Sequence, residues 1–132
     1  AFNINGGTII SAGSNSNMTK AMNTGSTQPG IFIKSGAQIA ASGLLHIESA
    51  GGTEMVTFKP KNAVYYFHFS SPGLVKGTSY KIYSGGTYTG GSFVGGATGW
   101  GMYTGGSYAT TGATLKSTNT LSSSSTVNTI SF

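Results

Sequence analysis

The sequence predicts an all-β, β-sandwich-like, Gly/Ser/Thr-rich domain. Three observations carry this expectation. Helix signals are nearly missing, because 22 glycines recur through 132 residues and no apolar stripe of period 3.6 survives over a dozen positions. Strand signals are plentiful, as short β-branched or aromatic runs bounded by Gly, Pro, Asn and Ser. Seven Phe, seven Tyr and one Trp supply large surfaces to bury. The length fits a single domain over residues 1–132.

Taken in order, strands are expected near Phe2–Ile10, Gly30–Lys34, Leu44–Glu48, Met55–Lys59, Ala63–Ser70, Ser79–Tyr83, Gly99–Tyr103 and Thr126–Phe132. Weaker signals lie at Ser92–Val94 and Ala113–Lys116. Residues 11–29 are Ser-, Asn- and Gly-rich, with bulk only at Met18, Ala21 and Met22. They read as a surface loop with one helical turn near Thr19–Asn23. A second polar stretch, Ser117–Thr126, reads as a loop.

One hairpin can be registered from pattern. Pairing Ser49 with Glu54 sets Ile47 opposite Val56 and Leu45 opposite Phe58, all on one face. His46, Glu48, Met55 and Thr57 then share the other face, and Glu48 and Glu54 point to opposite sides. In Ala63–Ser70 both faces carry bulk: Tyr65, Phe67 and Phe69 on one, Val64, Tyr66 and His68 on the other. That strand is therefore expected at the centre of a sheet. The expected core is Ile31, Ile33, Leu45, Ile47, Val56, Phe58, Tyr65, Phe67, Phe69, Tyr80 and Ile82.

Charge and chemistry narrow the function. Cysteine is absent, which removes disulfides and thiolate metal sites. The only acidic residues are Glu48 and Glu54, too few for a carboxylate calcium cage, and on opposite faces they do not make a glycosidase pair. His46 and His68 alternate with apolar residues and read as structural histidines. No catalytic residue, metal ligand or cofactor is expected. The net charge of +5 comes from scattered lysines without arginine, so nucleic acid is not an expected partner. Strands of five to seven residues are short for a membrane barrel, so membrane insertion is not expected. A start at Ala1 rather than Met reads as a processed bacterial protein, extracellular or at the cell surface.

Two features point toward partners. Phe2, Ile4, Ile9 and Ile10 near one end, and Ile130 and Phe132 at the other, are bulky residues where polar ones are usual. They are candidate assembly residues for a homopolymer held by strand addition, with residues 1–10 as the exchanged strand. The alternative is that both ends pair within their own domain. The second feature is an imperfect repeat, Tyr83-Ser-Gly-Gly-Thr-Tyr88 and Tyr103-Thr-Gly-Gly-Ser-Tyr108. Tyr83, Tyr88, Trp100, Tyr103 and Tyr108 are candidate stacking platforms for sugar rings. The alternative is that these rings fill the core of a glycine-rich sheet.

The order Phe2-Asn-Ile-Asn-Gly-Gly-Thr-Ile-Ile-Ser-Ala-Gly13, Gln28-Pro29, Phe69-Ser-Ser-Pro-Gly-Leu-Val-Lys-Gly-Thr-Ser-Tyr80, Tyr83-Ser-Gly-Gly86 and Tyr103-Thr-Gly-Gly106 resembles a family. It is similar to the C-terminal region of bacterial carbohydrate-binding, right-handed parallel β-helix proteins of the cellulose- and pectin-binding type. The resemblance implies polysaccharide binding and one orphan β-helix-like rung at the N-terminal end. The family's β-helix body, with its acidic calcium sites, has no counterpart here. The expected function is thus a structural subunit of a self-assembling extracellular fibre or surface layer, with a carbohydrate-binding module as the alternative.

Overall fold

A computed structural model describes residues 2–14, 20–41 and 43–132. The protein is all-β, as the sequence predicts. Its strands are β1 (Ile9–Gly13), β2 (Gly30–Ile39), β3 (Leu45–Ser49), β4 (Glu54–Lys59), β5 (Val64–Ser70), β6 (Ser79–Ser84), β7 (Thr87–Phe93), β8 (Gly101–Ala109), β9 (Thr114–Thr120) and β10 (Val127–Ser131). The only helical element among the described residues is a 3-10 turn at Val94–Gly96. Two sheets form, one of order β1-β5-β2-β10 and one of order β7-β8-β4-β3-β6-β9. The chain divides into two compact units. Unit 1 holds Ala1–Gln38, Val64–Ser79 and Asn119–Phe132, and unit 2 holds Ile39–Ala63 and Tyr80–Thr118.

In unit 1, β5 lies between β1 and β2, the central position expected from its two bulky faces. β1 runs antiparallel to β5, pairing Ser11 with His68 and Gly13 with Tyr66. A rung of a parallel β-helix would pair the other way. β10 runs parallel to β2, with Ile130 beside Ile33. Alternation therefore sends Ile31, Ile33, Phe67, Phe69 and Ile130 to one face, where all are buried. Phe32, Tyr66 and His68 go to the other.

The N-terminal strand begins at Ile9, not at Phe2. Residues 2–8 form no strand because their backbone is engaged elsewhere in unit 1. The Ile4 N–H donates to Ser26 Oγ at 2.8 Å, the Ile4 carbonyl accepts from Thr27 N and Gln28 N, and the Phe2 carbonyl accepts from Asn23 N. Gly7, at φ 74°, turns the chain ahead of β1. Ser11–Gly13, expected in the loop, complete β1. The helical turn expected near Thr19–Asn23 does not form over Lys20–Asn23, and Thr19 lies outside the described residues.

In unit 2, β3 pairs with β4 on one side and β6 on the other. Leu45 faces Phe58 and Ile47 faces Val56, as the pattern predicts. Beyond Ile47 the register shifts, and Glu48 rather than Ser49 stands opposite Glu54. The turn consumes Ser49: its N–H bonds the Thr53 carbonyl and its carbonyl accepts from Gly52 N. Met55 is left as the extra residue of a β-bulge. Of the expected core, Phe58 and Tyr65 are only half-buried and the other nine residues are buried.

Candidate functional site

The Tyr-x-Gly-Gly-x-Tyr repeat has a structural explanation in the β7–β8 hairpin. Tyr88 pairs with Tyr108 and Gly90 with Gly106. Each motif places its last tyrosine on the glycines of the other. The Gly106 N–H donates to the Tyr88 hydroxyl at 2.9 Å, and the Tyr108 hydroxyl donates to the Gly85 carbonyl at 2.6 Å. A Cβ at Gly106 would meet the Tyr88 ring, and one at Gly86 would meet the Tyr108 hydroxyl. The glycines are bare so that rings can lie on the backbone.

The five candidate platform rings consequently separate. Tyr88 and Tyr103 stack on each other at 4.1 Å, and Phe93 adds to the row 4.4 Å from Tyr103. Tyr83 and Tyr108 pack against His46. Trp100 is 42% exposed, with the Lys61 ammonium 5.7 Å from its ring centroid. Rings stacked on one another offer edges more than faces to a sugar.

The bulge after Ile47 brings together what the regular register had separated. Glu48 and Glu54 both reach His46. His46 Nε2 is 2.9 Å from Glu48 Oε1, and His46 Nδ1 is 2.6 Å from Thr57 Oγ1. Thr57 Oγ1 in turn bonds Glu54 Oε2 at 2.5 Å. Tyr108 covers the imidazole in a parallel stack, 3.7 Å between centroids. Burial pushes the Tyr108 hydroxyl up to about 12, with Glu48 and Tyr83 adding to the shift. The wiring of Thr57, His46 and Glu48 is that of a nucleophile, a base and an acid. Thr57 is fully buried and His46 is 2% exposed, so no substrate reaches that hydroxyl. Among the described residues, no group of three His, Cys, Asp or Glu is arranged to hold a metal ion.

Unit 1 offers a different kind of site on the non-aliphatic face of its sheet. Phe32 and Tyr66 stack at 5.8 Å and 13°. His68 meets Phe32 edge-on at 5.7 Å and Phe2 at 5.9 Å. Beside them lies a cavity of about 230 Å³ lined by Ser11, Ala12, Gly13, Lys20, Phe32, Tyr66 and His68. His68 is 3% exposed, and neither ring nitrogen has a hydrogen-bond partner. Burial alone holds this imidazole below its usual value. Both nitrogens are closed to solvent, so their unmet hydrogen bonds are a cost of packing the ring against Phe2 and Phe32 rather than an open contact for a ligand.

The candidate assembly residues are spread over unit 1. Ile4 and Ile130 are buried, Ile9, Ile10 and Phe132 are half-buried, and Phe2 is 43% exposed. Phe132 is tied to β2 through Lys34 O and Gly36 N.

The cavity was not readable from the sequence. Tyr66 and His68 share a face by alternation, but Ser11 and Phe32 join them only through the order β1-β5-β2, and Lys20 comes from the segment ahead of β2. Comparison with protein-family models, with curated proteins and with solved structures finds no match to this chain.

Proposed function

We propose that this chain is an extracellular carbohydrate-binding module. One observation supports this reading above the others: the cavity of unit 1, with aromatic walls from Phe32 and Tyr66 and the exposed Ser11 and Lys20 beside them. A sugar ring has an apolar C–H face for an aromatic ring and a rim of hydroxyls that both donate and accept. Ser11 and the Lys20 ammonium add polar groups at the mouth. A few polar groups converging on an apolar hollow is the usual composition of a small-ligand site. The resemblance to cellulose- and pectin-binding proteins points the same way, and the net charge of +5 favours acidic polymers.

The test is retention of the purified protein on cellulose, polygalacturonate and chitin. Retention is expected on at least one. Tyr66→Ala should abolish it, and His68→Phe, which preserves bulk and removes no nitrogen open to solvent, should leave it unchanged. Loss with Trp100→Ala and no effect of Tyr66→Ala would move the site to the β7–β8 hairpin. Absence of wild-type retention on all three would reject the reading.

A second reading, a subunit of a self-assembling fibre or surface layer, is favoured by the position of β10. This strand ends the order β1-β5-β2-β10 and carries one buried knob, Ile130. Exchange of β10 between copies would reuse its parallel pairing with β2. Residues 2–8 are poorer donors, since they form no strand. Filaments in negative stain would support this reading, and a monomer at high concentration would remove it.

A further inference from the structure

Asn5 is the only asparagine of this chain that a glycine follows. It lies between two anchors of the N-terminal segment. On one side Ile4 is buried, with its N–H on Ser26 Oγ. On the other the Gly7 carbonyl accepts from Gln28 Nε2 at 2.8 Å. Asn5 and Gly6 themselves are exposed.

Thr27 fixes which way the Asn5 amide points. Its backbone N–H lies 3.1 Å from Asn5 Oδ1, and its hydroxyl lies 3.0 Å from the same oxygen. A backbone N–H only donates, so the atom facing it is the carbonyl oxygen and not the NH2. That N–H is shared with the Ile4 carbonyl at 3.1 Å, so the hydroxyl is the donor that serves Asn5 alone. Among the described residues, no hydrogen bond holds Asn5 Nδ2 or the Gly6 N–H. Asn128 shows the contrast. Its Oδ1 also accepts a backbone N–H, from Ser122. Its Nδ2, however, is tied to the Gly30 and Thr126 carbonyls, and Thr129 follows it inside β10.

Asn5 thus has a carbonyl carbon with two donors on its oxygen, a free NH2 and an unhindered N–H next along the chain. Attack by that nitrogen needs these three things. We propose that Asn5-Gly6 is a self-modification site, at which the Gly6 nitrogen displaces the Asn5 amide group as ammonia and Thr27 steadies the oxyanion formed on the way.

Solvent base takes the Gly6 N–H proton, and the nitrogen's electron pair forms a bond to Asn5 Cγ. The C=O π pair moves onto Oδ1, where the Thr27 hydroxyl and N–H meet the negative charge. When that pair returns, the Cγ–Nδ2 bond breaks, and Nδ2 leaves as ammonia with a proton from water. The product is a five-membered cyclic imide. Water then opens it at either carbonyl, giving aspartate or its β-linked isomer, with no oxidation or reduction. Gly6 suits this closure because it has no side chain to crowd the ring, and nothing lies within 4 Å of where a Cβ would stand. Opening to aspartate keeps the chain length and lowers the net charge of +5 by one. Opening to the isomer routes the main chain through the side-chain carbon and lengthens it between the Ile4 and Gly7 anchors. The two anchors cannot then both stay seated, so the isomer loosens residues 2–8 from residues 23–28.

The intact protein, incubated in ¹⁸O-labelled water at neutral to mildly alkaline pH, tests this by peptide mass spectrometry. Residue 5 should take up ¹⁸O as the amide is lost. The same protein unfolded in urea reports the reaction without Thr27 in place, and it should convert more slowly. Thr27→Val keeps the shape and removes the hydroxyl, and conversion should slow severalfold. If Thr27 only held the side chain still, this variant would convert faster. Absence of ¹⁸O at residue 5, equal or faster conversion in urea, or unchanged or faster conversion in Thr27→Val overturns the proposal. The comparison with urea decides by itself if the variant does not fold.

Discussion

Glycine and histidine carry the most specific consequences at the scale of single residues. Gly106 is bare because Tyr88 lies across it, and a Cβ there would also come within 2.5 Å of Thr89 O and 2.7 Å of Gly90 O. Backbone atoms cannot swing aside, so Gly106→Ala should destabilise the hairpin by at least about 1–3 kcal/mol, the range for overpacked sites. Gly13→Ala, with nothing within 4 Å, is the matching control and should cost far less in urea midpoint. His68 makes a prediction about acid. Its folded value is depressed by burial below 6.5, so the unfolded chain takes up a proton more readily than the folded one. Stability is full above 6.5 and should fall as pH drops below it. Denaturation midpoints across acid pH should show the decline, and His68→Phe should flatten it.

At the scale of elements, the sheet orders rank the strands. β3 has neighbours on both sides, β4 and β6, and contributes buried Leu45, His46 and Ile47. β5 is likewise flanked, by β1 and β2, and contributes buried Phe67, His68 and Phe69. β7 is an outer strand, exposed at Thr87, Thr89 and residues 90–92 and interrupted by positive φ at Gly90 and Gly91. Amide exchange should therefore be slowest in β3 and β5 and much faster in β7. Equal protection in β7 and β3 would contradict this ranking.

At the scale of the whole molecule, each compact unit is assembled from distant segments. β2 is completed by β5 and by β10, and Asn128 bonds the Gly30 carbonyl across 98 positions. β3 and β4 need β6 and β8 on their flanks. No single cut of the sequence separates one unit from the other. A fragment of residues 1–63 has β2 without its sheet partners and β3–β4 without flanking strands, so it should lack the dispersed amide spectrum of the intact protein. A folded spectrum from that fragment would mean that the pairing between distant strands is dispensable.

The sequence by itself determined the all-β class, most strand positions, the central place of β5 and the pairing of Ile47 with Val56. These follow from local rules: alternation has period two, glycine and proline end runs, and bulk on both faces demands burial on both. It also determined that only two carboxylate side chains exist, though not that they meet. Their meeting was decided by one extra residue, Met55, whose bulge moved Glu48 opposite Glu54 and gathered both around His46. A bulge depends on how the turn spends the Ser49 backbone, which alternation does not encode. The N-terminal segment went the same way: Phe2 and Ile4 alternate like a strand, but Asn23, Ser26, Thr27 and Gln28 claim their backbone first. The cavity beside His68 and the reciprocal seating of Tyr88 and Tyr108 likewise arose only in the tertiary structure. Each joins residues from strands whose order is a choice among non-local pairings, and local propensity is blind to that choice.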